Sequence, residues 1–319
     1  MLPPLEGALK MANHVGILFG MERSFPLTLA QEITRRSDGD VVGEPVRVGH
    51  LQVDKRPPYD VVVDRISHEV PFYRTMLKQM VIQGAQVINN PFWWSADDKY
   101  FGCLVAQRAD VAIPKTVLLP HKDHPEGTRD DSFSNLIFPL QWEEMFGYLG
   151  GFPIYLKPAY GGGWKDVSRC ANPEEFLAAY HASRDLCMMA QEEIVFSEYY
   201  RCYVLGRERV HIMRYDPKAP HHERYVRNAT PTEPALKERI EWGCLALCRA
   251  LGYDFNTVEF AVRNGVPYAI DFTNPCPDAE PASVGDENFA WVLDNASEML
   301  IDRARNPRPF EMTGGWTEG

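Results

Sequence analysis

Ile154–Cys170, with the sequence IYLKPAYGGGWKDVSRC, is the stretch on which the prediction of the fold depends. A short apolar run ends at Lys157-Pro158, the three glycines Gly161, Gly162 and Gly163 follow, and an alternating run closes the stretch. Strand-forming residues on both sides of a glycine-rich turn predict a β-hairpin. Glycine N–H groups can approach an anion closely and Lys157 adds a positive charge, so the pattern is typical of a phosphate site as well as of a plain turn.

The hairpin matches neither of two common glycine-rich nucleotide motifs. The pattern G-x-x-x-x-G-K-[ST] is absent, and no helix is predicted directly after the glycines. The stretch is therefore neither a P-loop nor a Rossmann fingerprint. Whether it binds phosphate must be decided by the rest of the chain.

Length and composition indicate a globular protein. The chain has 319 residues, enough for two or three lobes with sizeable cores, and it is 45% hydrophobic and 24% charged. No apolar run reaches the roughly 18 residues that a membrane span needs, and the N-terminus does not have the pattern of a signal peptide.

Cysteine usage and charge narrow the location and the partners. Seven cysteines without C-x-x-C spacing predict reduced thiols in a cytoplasmic protein and argue against a zinc site. A net charge of -11 argues against a nucleic-acid partner, because phosphate contacts need clustered Lys and Arg. A small anion such as ATP can still bind in a locally basic pocket.

The first 90 residues alternate between strand and helix patterns, which predicts a small α/β layer with a largely parallel sheet. Arg65 follows the third predicted strand, where open α/β sheets bind ligands, although a surface arginine in a loop fits as well. The predicted strands are His14–Phe19, Pro45–Val53, Tyr59–Arg65 and Ala85–Asn89, and the predicted helices are Pro26–Arg36 and Pro71–Gly84.

The middle of the chain contains two helix starts and several short strands. One helix is predicted to begin near Asp97, the candidate N-cap, and another at Asn172, which is followed by Pro173 and Glu175 in a capping box. The later predicted elements are the strands Ile113–Leu119, Met188–Val195, Arg201–Leu205 and Arg209–Met213, and the helices Ala235–Leu251 and 286–305.

A final hairpin, Thr257–Val262 and Pro267–Phe272 around the turn Asn264-Gly265, contains a candidate metal site. Glu259 and Asp271 can lie close together on one face of the paired strands, and Asn274 follows. Carboxylate and amide oxygens are the ligands that Mg²⁺ prefers. A solvated acidic surface is the other interpretation.

In chain order these motifs resemble the ATP-grasp superfamily over residues 12 to 305. The motifs are D-D-K at 97–99, I-P-K-T at 113–116, K-P with the glycine hairpin, Gln191 with Glu198, Arg201 before V-L-G, and two acids followed by Asn-Pro. The D-R-I-S segment at 64–67 and the N-terminal layout look most like the branch of glutathione synthetase and the ribosomal-protein glutamate ligase.

The resemblance implies a fold of mixed α/β and α+β class in which two lobes clasp ATP. Residues 1–92 would form an N-terminal parallel α/β domain on the substrate side, and residues 93–190 a small lobe that carries the glycine-rich lid. Residues 191–310 would form a C-terminal lobe with the Mg²⁺ site, and residues 311–319 a flexible tail.

The resemblance also implies roles for the nucleotide-binding residues. Lys99 and Lys157 would bind the α- and β-phosphates, and the loop 159–164, with its three glycines, would fold over the triphosphate. Glu198 would accept the ribose hydroxyls. The hinge against adenine would be Gln191, Glu192, Glu193 and Ile194.

The same resemblance assigns the metal ligands and the arginines. Glu259, Asp271 and Asn274 would hold one or two Mg²⁺ ions, with Mn²⁺ as an alternative. Arg201 and Arg214 would face the γ-phosphate or the acyl-phosphate that it becomes.

Two positions depart from the family pattern. The family usually has Glu-x-Asn at the last metal position, whereas two residues separate Asp271 from Asn274 here. Either a β-bulge brings Asp271 into place, or its geometry differs and Asp278 and Glu280 substitute. Thr257 stands where many members have an arginine, which leaves Arg201 or Arg214 to stabilise a tetrahedral intermediate.

The activity implied is ATP-dependent amide or peptide bond formation. A small-molecule or peptide carboxylate would be phosphorylated, and an amine would attack the acyl-phosphate. A kinase of the same fold and a catalytically silent ATP-binding protein are the alternatives, and a homo-oligomer is left open.

Overall fold

The computed structural model describes residues 12–68, 70–92, 98–220 and 223–309. Within these ranges the strands form three sheets of four strands each. The predicted N-cap Asp97 and the predicted tail 311–319 lie outside the described residues.

The first sheet is entirely parallel, as predicted. Its order is β2-β1-β3-β4, and the helices Ser24–Arg36, Pro71–Ile82 and Asp286–Arg305 pack against it. The elements are β1 (Asn13–Leu18), α1 (Ser24–Arg36), β2 (Val41–Pro45), β3 (Val61–Asp64), α2 (Pro71–Ile82) and β4 (Gln86–Ile88).

The predicted strand Pro45–Val53 is wrong, because the strand ends where the prediction begins. The chain beyond Pro45 forms a loop whose apolar residues Val46, Val48 and Leu51 pack against the core beside α2. Their alternation therefore reflects the packing of a loop, and it is not a strand pattern.

The second sheet is antiparallel and contains the glycine hairpin. Its order is β5-β8-β6-β7, with Ile154 opposite Cys170 and Leu156 opposite Ser168 across the predicted hairpin. The elements are α3 (Lys99–Arg108), β5 (Thr116–Leu119), α4 (Trp142–Leu149), β6 (Ile154–Pro158), β7 (Ser168–Cys170), α5 (Pro173–Ala182) and β8 (Met188–Glu192).

Two helix starts in this part of the chain are set by side-chain caps. The Asn172 side chain accepts the Glu175 N–H at 2.9 Å, and the Glu175 carboxylate accepts the Ala171 N–H at 2.8 Å, so the predicted start of α5 is confirmed. The N-cap of α3 is Asp98, one residue after the predicted Asp97, because the Asp98 carboxylate accepts the Phe101 N–H at 2.8 Å.

The third sheet is also antiparallel and has the order β10-β9-β11-β12. The β11–β12 turn places Asn264 and Gly265 at φ values of 53° and 72°, as a tight hairpin turn requires. The elements are β9 (Glu198–Leu205), β10 (Arg209–Arg214), α6 (Pro234–Leu251), β11 (Phe255–Arg263), β12 (Val266–Asp271), α7 (Pro281–Val284) and α8 (Asp286–Arg305).

Arg65 joins the first sheet to the third. The Arg65 side chain is 1% exposed, and its Nε and Nη2 donate to Glu22 at 2.5 and 2.7 Å. The guanidinium lies over the rings of Phe25 and Phe255, and Nη2 also donates to the Pro277 carbonyl at 2.6 Å. Arg65 is therefore a buried cross-link between the two layers, and it is not the surface residue that fitted the sequence equally well.

Two further features concern the whole chain. All seven cysteines are free thiols. Among the residues described, no helix is both long enough and apolar enough to cross a membrane.

Candidate functional site

A cavity of about 470 Å³ lies between the second and third sheets. Residues from both sheets and from the start of α3 line it. Its lining includes the predicted residues Lys99, Lys157, Gly161, Gly162, Gly163, Gln191, Glu192, Glu193, Ile194, Glu259 and Asp271.

The two lysines form the cationic side of the cavity. Lys99 begins α3, and its Nζ donates a hydrogen bond to the Gly161 carbonyl. Lys157 lies on β6, where burial lowers the pKa of its ammonium group, while Asp271, Cys103 and Glu259 act in the opposite direction. A desolvated cation next to acids is well suited to a polyphosphate, which would restore its charge.

The glycine loop leaves the mouth of the cavity open. Gly161 and Gly163 have φ values of +85° and +70°, in the left-handed region that favours glycine. Apart from the glycine itself and its two chain neighbours, no atom of the described residues lies within 4 Å of the position that a Cβ would occupy at Gly161, Gly162 or Gly163. The loop thus offers backbone without side chains to whatever enters the cavity.

Glu259 and Asp271 are directly opposite each other on β11 and β12. The register shifts between Glu259 and Phe260, so a β-bulge places Asp271 beside Glu259. The bulge that the sequence left as one of two alternatives is therefore present. Of the proposed substitutes, Asp278 accepts the Ser283 hydroxyl and Glu280 accepts the Phe25 N–H, and neither lines the cavity.

Two neighbours fix the Glu259 carboxylate. The Tyr199 hydroxyl donates to Oε2 at 2.6 Å, and Arg201 Nη1 donates to Oε1 at 2.9 Å. Burial raises the pKa of Glu259, and the charge of Asp271 adds to this effect, whereas Arg201 and Tyr199 oppose it. The carboxylate is thus held in one orientation towards the cavity.

The acids fit a magnesium ion that is bound mainly by phosphate and water. Mg²⁺ commonly uses one or two protein carboxylates and completes its shell with substrate phosphates. Glu259 and Asp271 provide such a pair, and Asp271 is exposed towards the cavity. Within the described ranges no group of three or more His, Cys, Asp or Glu residues is placed to hold a metal, so a complete protein cage is not present there.

Glu198 and Arg214, although predicted to bind nucleotide, form a pair with each other away from the cavity wall. Arg214 Nη1 lies 2.6 Å from Glu198 Oε2, which also accepts the Tyr200 hydroxyl at 2.7 Å. Side chains alternate along β9, so Glu198 and Tyr200 point to the face opposite that of Arg201. Their roles towards ribose and γ-phosphate stay predictions.

Asn274 bonds to Thr257, which is on the same face of β11 as Glu259, but Asn274 is not among the residues that line the cavity. Its Nδ2 donates to Thr257 Oγ1 at 3.1 Å, and its backbone N–H donates to Asn256 Oδ1 at 2.8 Å. Arg201 is not among the lining residues either, but it bonds to Glu259, which lines the cavity. The third metal ligand predicted from the sequence thus remains a prediction.

Several lining residues were missed by the sequence analysis. Tyr199 is two residues before Arg201 on the same face of β9, so the period of two along a strand could have identified it. Lys218, 5.2 Å above the Phe196 ring, comes from a loop that has no recognisable pattern.

The three sheets, the glycine hairpin and the facing acids together define the ATP-grasp fold, and comparison with solved structures confirms it. A D-alanine–D-alanine ligase from Bacillus anthracis complexed with ATP has a TM-score of 0.64 at 16% identity, over 93% of this chain and 99% of that chain. A RimK domain ATP-grasp protein from Sphaerobacter thermophilus gives 0.64 at 15%, over 92% and 100%. The VanG D-Ala:D-Ser ligase from Enterococcus faecalis gives 0.62 at 12%, over 92% and 98%.

Sequence comparison is less informative. No family model matches the chain. The pyruvate carboxylase of Bacillus subtilis (strain 168) is 25% identical over 190 residues, which are 55% of this chain but only 16% of that protein. These likenesses establish the fold, and they leave the activity to be argued from the site.

Proposed function

We propose that the protein is an ATP-dependent carboxylate–amine ligase that works through an acyl-phosphate. One observation carries the proposal: Lys99 at the start of α3, Lys157 on the second sheet and two acids of the third sheet line a single cavity. The ligases among the structures with this fold support the same reaction class.

ATP is bound, in this proposal, along the cavity from the hinge to the acids. The backbone of Gln191–Ile194 receives adenine, and Lys157 and Lys99 neutralise the phosphates. The glycine loop covers the triphosphate because its N–H groups can approach the phosphate oxygens closely.

Glu259 and Asp271 would hold Mg²⁺, which would supply positive charge to the transferring phosphoryl group. Tyr199 and Arg201 orient Glu259 for this role, since each donates to one of its carboxylate oxygens.

The reaction has two steps. A carboxylate oxygen of the substrate forms a bond to the γ-phosphorus, the bond to the β–γ bridging oxygen breaks, and ADP leaves. The amine nitrogen then forms a bond to the acyl carbon, the acyl C–O bond breaks, and phosphate leaves with the former carboxylate oxygen. The amine loses a proton in this step. Arg201 contributes to both steps through Glu259, whose carboxylate it holds in place.

A silent ATP-binding protein is the second candidate, and a specific observation favours it. Both Glu259 oxygens already have partners, and Asn274 is bonded to Thr257. A protein that binds ATP without turnover would tolerate this arrangement.

An ADP-release assay separates the candidates. Pooled amino acids and peptides are offered with Mg·ATP, with and without added amines. ADP that appears only when carboxylate and amine are both present supports the ligase, and binding without turnover supports the silent protein. ADP formed with a hydroxyl compound alone would indicate a kinase instead.

The matched variants are Glu259→Gln, which should abolish turnover, and Glu298→Gln, a surface acid paired with Arg209, which should not. Cytoplasmic location and homo-oligomer formation stay predictions.

A further inference from the structure

The guanidinium of Arg201 has one nitrogen left over. Its Nη1 donates to Glu259 at 2.9 Å, and its Nη2 donates to Thr257 Oγ1 at 3.4 Å. Its Nε is buried and has no hydrogen-bond partner among the residues that the structure describes. The side chain as a whole is 13% exposed.

Tyr225 presents a second donor of this kind beside Arg201. The Tyr225 ring meets the Tyr215 ring edge-on at 5.1 Å, and the Arg201 guanidinium lies over the same Tyr215 ring at 5.5 Å. Tyr225 is 7% exposed, and its hydroxyl has no partner within the described part of the chain. Burial raises the pKa of Tyr225, so its hydroxyl keeps the proton that it can donate.

These donors lie on the side of Glu259 away from Asp271. Asp271, Glu259 and Arg201 form a row across β12, β11 and β9, with neighbouring strands about 4.8 Å apart. Lys157 and Asp271 both line the cavity, whereas Arg201 and Tyr225 are not among its lining residues. The phosphates are therefore expected near Asp271, and the unpaired donors lie one strand beyond Glu259.

The carboxyl edge of the first sheet borders the same region. The Tyr203 hydroxyl donates to the Asp278 carbonyl, and Arg65 Nη2 donates at 2.6 Å to the carbonyl of the preceding residue, Pro277. Arg65 directly follows β3. Its Nη1 is a third buried donor without a partner among the described residues. Ligands of open α/β sheets bind at this edge.

A buried donor without an acceptor costs folding free energy, and native proteins seldom keep several of them together. All three groups are donors only, apart from the weak acceptor capacity of the phenol oxygen. An anionic oxygen group satisfies such a set, and since the donors are covered from solvent its hydrogen bonds would be strong.

We propose that the Arg201 Nε–H and the Tyr225 hydroxyl bind a second carboxylate of the acceptor substrate, one that is not phosphorylated. The inference rests on the proposed ligase function, and it narrows the acceptor to molecules with two carboxylates. The reacting carboxylate meets the γ-phosphate on the Asp271 side of Glu259, while the other is anchored about one strand spacing further on.

Calorimetric titration of the full chain in the presence of Mg·ADP tests the proposal. The probes are glutarate, its monocarboxylate match butyrate, and inorganic phosphate. Glutarate should bind at least tenfold more tightly than butyrate. Tyr225→Phe should weaken glutarate about tenfold, which is the effect expected from one hydrogen bond to a charged group, and should leave ADP affinity unchanged.

Tyr180→Phe is the matched control. The Tyr180 hydroxyl donates to the Pro120 carbonyl at 2.8 Å in the second lobe, so this variant should lose stability and keep its glutarate affinity. Tyr225→Phe should keep the urea midpoint of the parent, because no hydrogen bond is lost.

Equal binding of glutarate and butyrate, or unchanged glutarate affinity in Tyr225→Phe, would overturn the proposal. Phosphate binding that depends on Tyr225 while glutarate binding does not would overturn it too, because the subsite would then belong to a phosphoryl group. Tyr225-dependent glutarate binding without ADP release under any condition would support the subsite and refute the ligase. ADP release from monocarboxylates, unaffected by Tyr225→Phe, would do the reverse.

Discussion

On the third sheet, Glu259 is held at 2.6 Å by Tyr199 and at 2.9 Å by Arg201. The three glycines of the loop opposite have open space at their Cβ positions, where no described residue other than their chain neighbours comes within 4 Å. The cavity therefore has one wall that is built in advance and one that is left open. The side chains of the acid wall lose their conformational entropy when the protein folds, whereas an open loop loses it when the ligand binds.

This contrast predicts different responses to mutation. Changes on the acid wall should alter folding stability together with activity, because the groups there are buried and mutually paired. Changes on the loop and at the lysines should alter nucleotide affinity with little effect on stability.

The largest effect is expected for Arg201→Met. This change leaves the Glu259 carboxylate buried without its cation, and breaking a buried pair in this way costs about 3–5 kcal/mol. Urea unfolding should show this loss, and ADP release should disappear.

The double variant Arg201→Met with Glu259→Gln gives the control. If the loss arises from an uncompensated charge, the second change should restore part of the stability. Additive losses would mean that Arg201 contributes by packing alone, and that the acid wall is not the paired unit described above.

A smaller effect, on affinity alone, is expected at the lysines. Lys157→Met should weaken ADP binding by about 10- to 100-fold, because a desolvated cation interacts with phosphate more strongly than an exposed one. Lys99→Met, at the more exposed start of α3, should weaken binding by at most about tenfold. Titration calorimetry measures both, and the opposite order would show that burial does not decide the contribution.

The parts of this site that the sequence could predict are those coded locally. The glycine hairpin, the cap at Asn172 and the Asn264-Gly265 turn each depend on a few adjacent residues, and the structure contains all three. The pairing of Glu259 with Asp271 depends in addition on the β-bulge, because the register set by the turn alone would place Glu259 opposite Ile270, and the sequence left the bulge as one of two alternatives.

The remaining features depend on contacts between distant segments. Glu198 turns to Arg214 because of strand alternation that its own motif does not reveal. Arg65 bonds to Pro277, which is 212 residues away along the chain. Tyr225 packs beside Tyr215, with which it forms an isolated β-bridge. No local sequence pattern marks such residues, so the surroundings of Arg65 and Tyr225 could not be predicted from the sequence.

The pH dependence of ADP binding should show whether Lys157 responds to the bound phosphates. Burial lowers the pKa of this lysine, and a bound polyphosphate would raise it again. At a pH between the pKa of Lys157 in the free protein and its pKa in the complex, ADP binding is accompanied by uptake of a proton. The affinity of the protein for ADP should therefore fall as pH rises, by at most about tenfold per pH unit. The free energy of unfolding of the nucleotide-free protein should rise with pH between the lowered pKa of Lys157 and its ordinary value, because the unfolded chain binds more protons in that range.

Calorimetry in buffers of different ionisation enthalpy measures this proton uptake. Lys157→Met should abolish the uptake, while Lys99→Met should retain it. Proton uptake that persists in Lys157→Met would come from another group. Lys157 would then not be the cation that responds to the phosphates.

The smallest effects are expected in the loop, where they separate strain from proximity. Gly161 has a φ of +85°, so Gly161→Ala should cost about 1 kcal/mol of stability through backbone strain. Gly162→Ala has open space around its Cβ and no such strain, and its stability should stay within about 0.5 kcal/mol of the parent. If the loop closes on the phosphates, the new methyl group at position 162 must nevertheless weaken ADP binding, because it occupies the space through which the backbone approaches the anion. If the Gly162→Ala protein binds ADP as tightly as the parent, the loop stays open in the complex. The acid wall would still be preorganised, but the glycine loop would not be a wall that closes on the ligand.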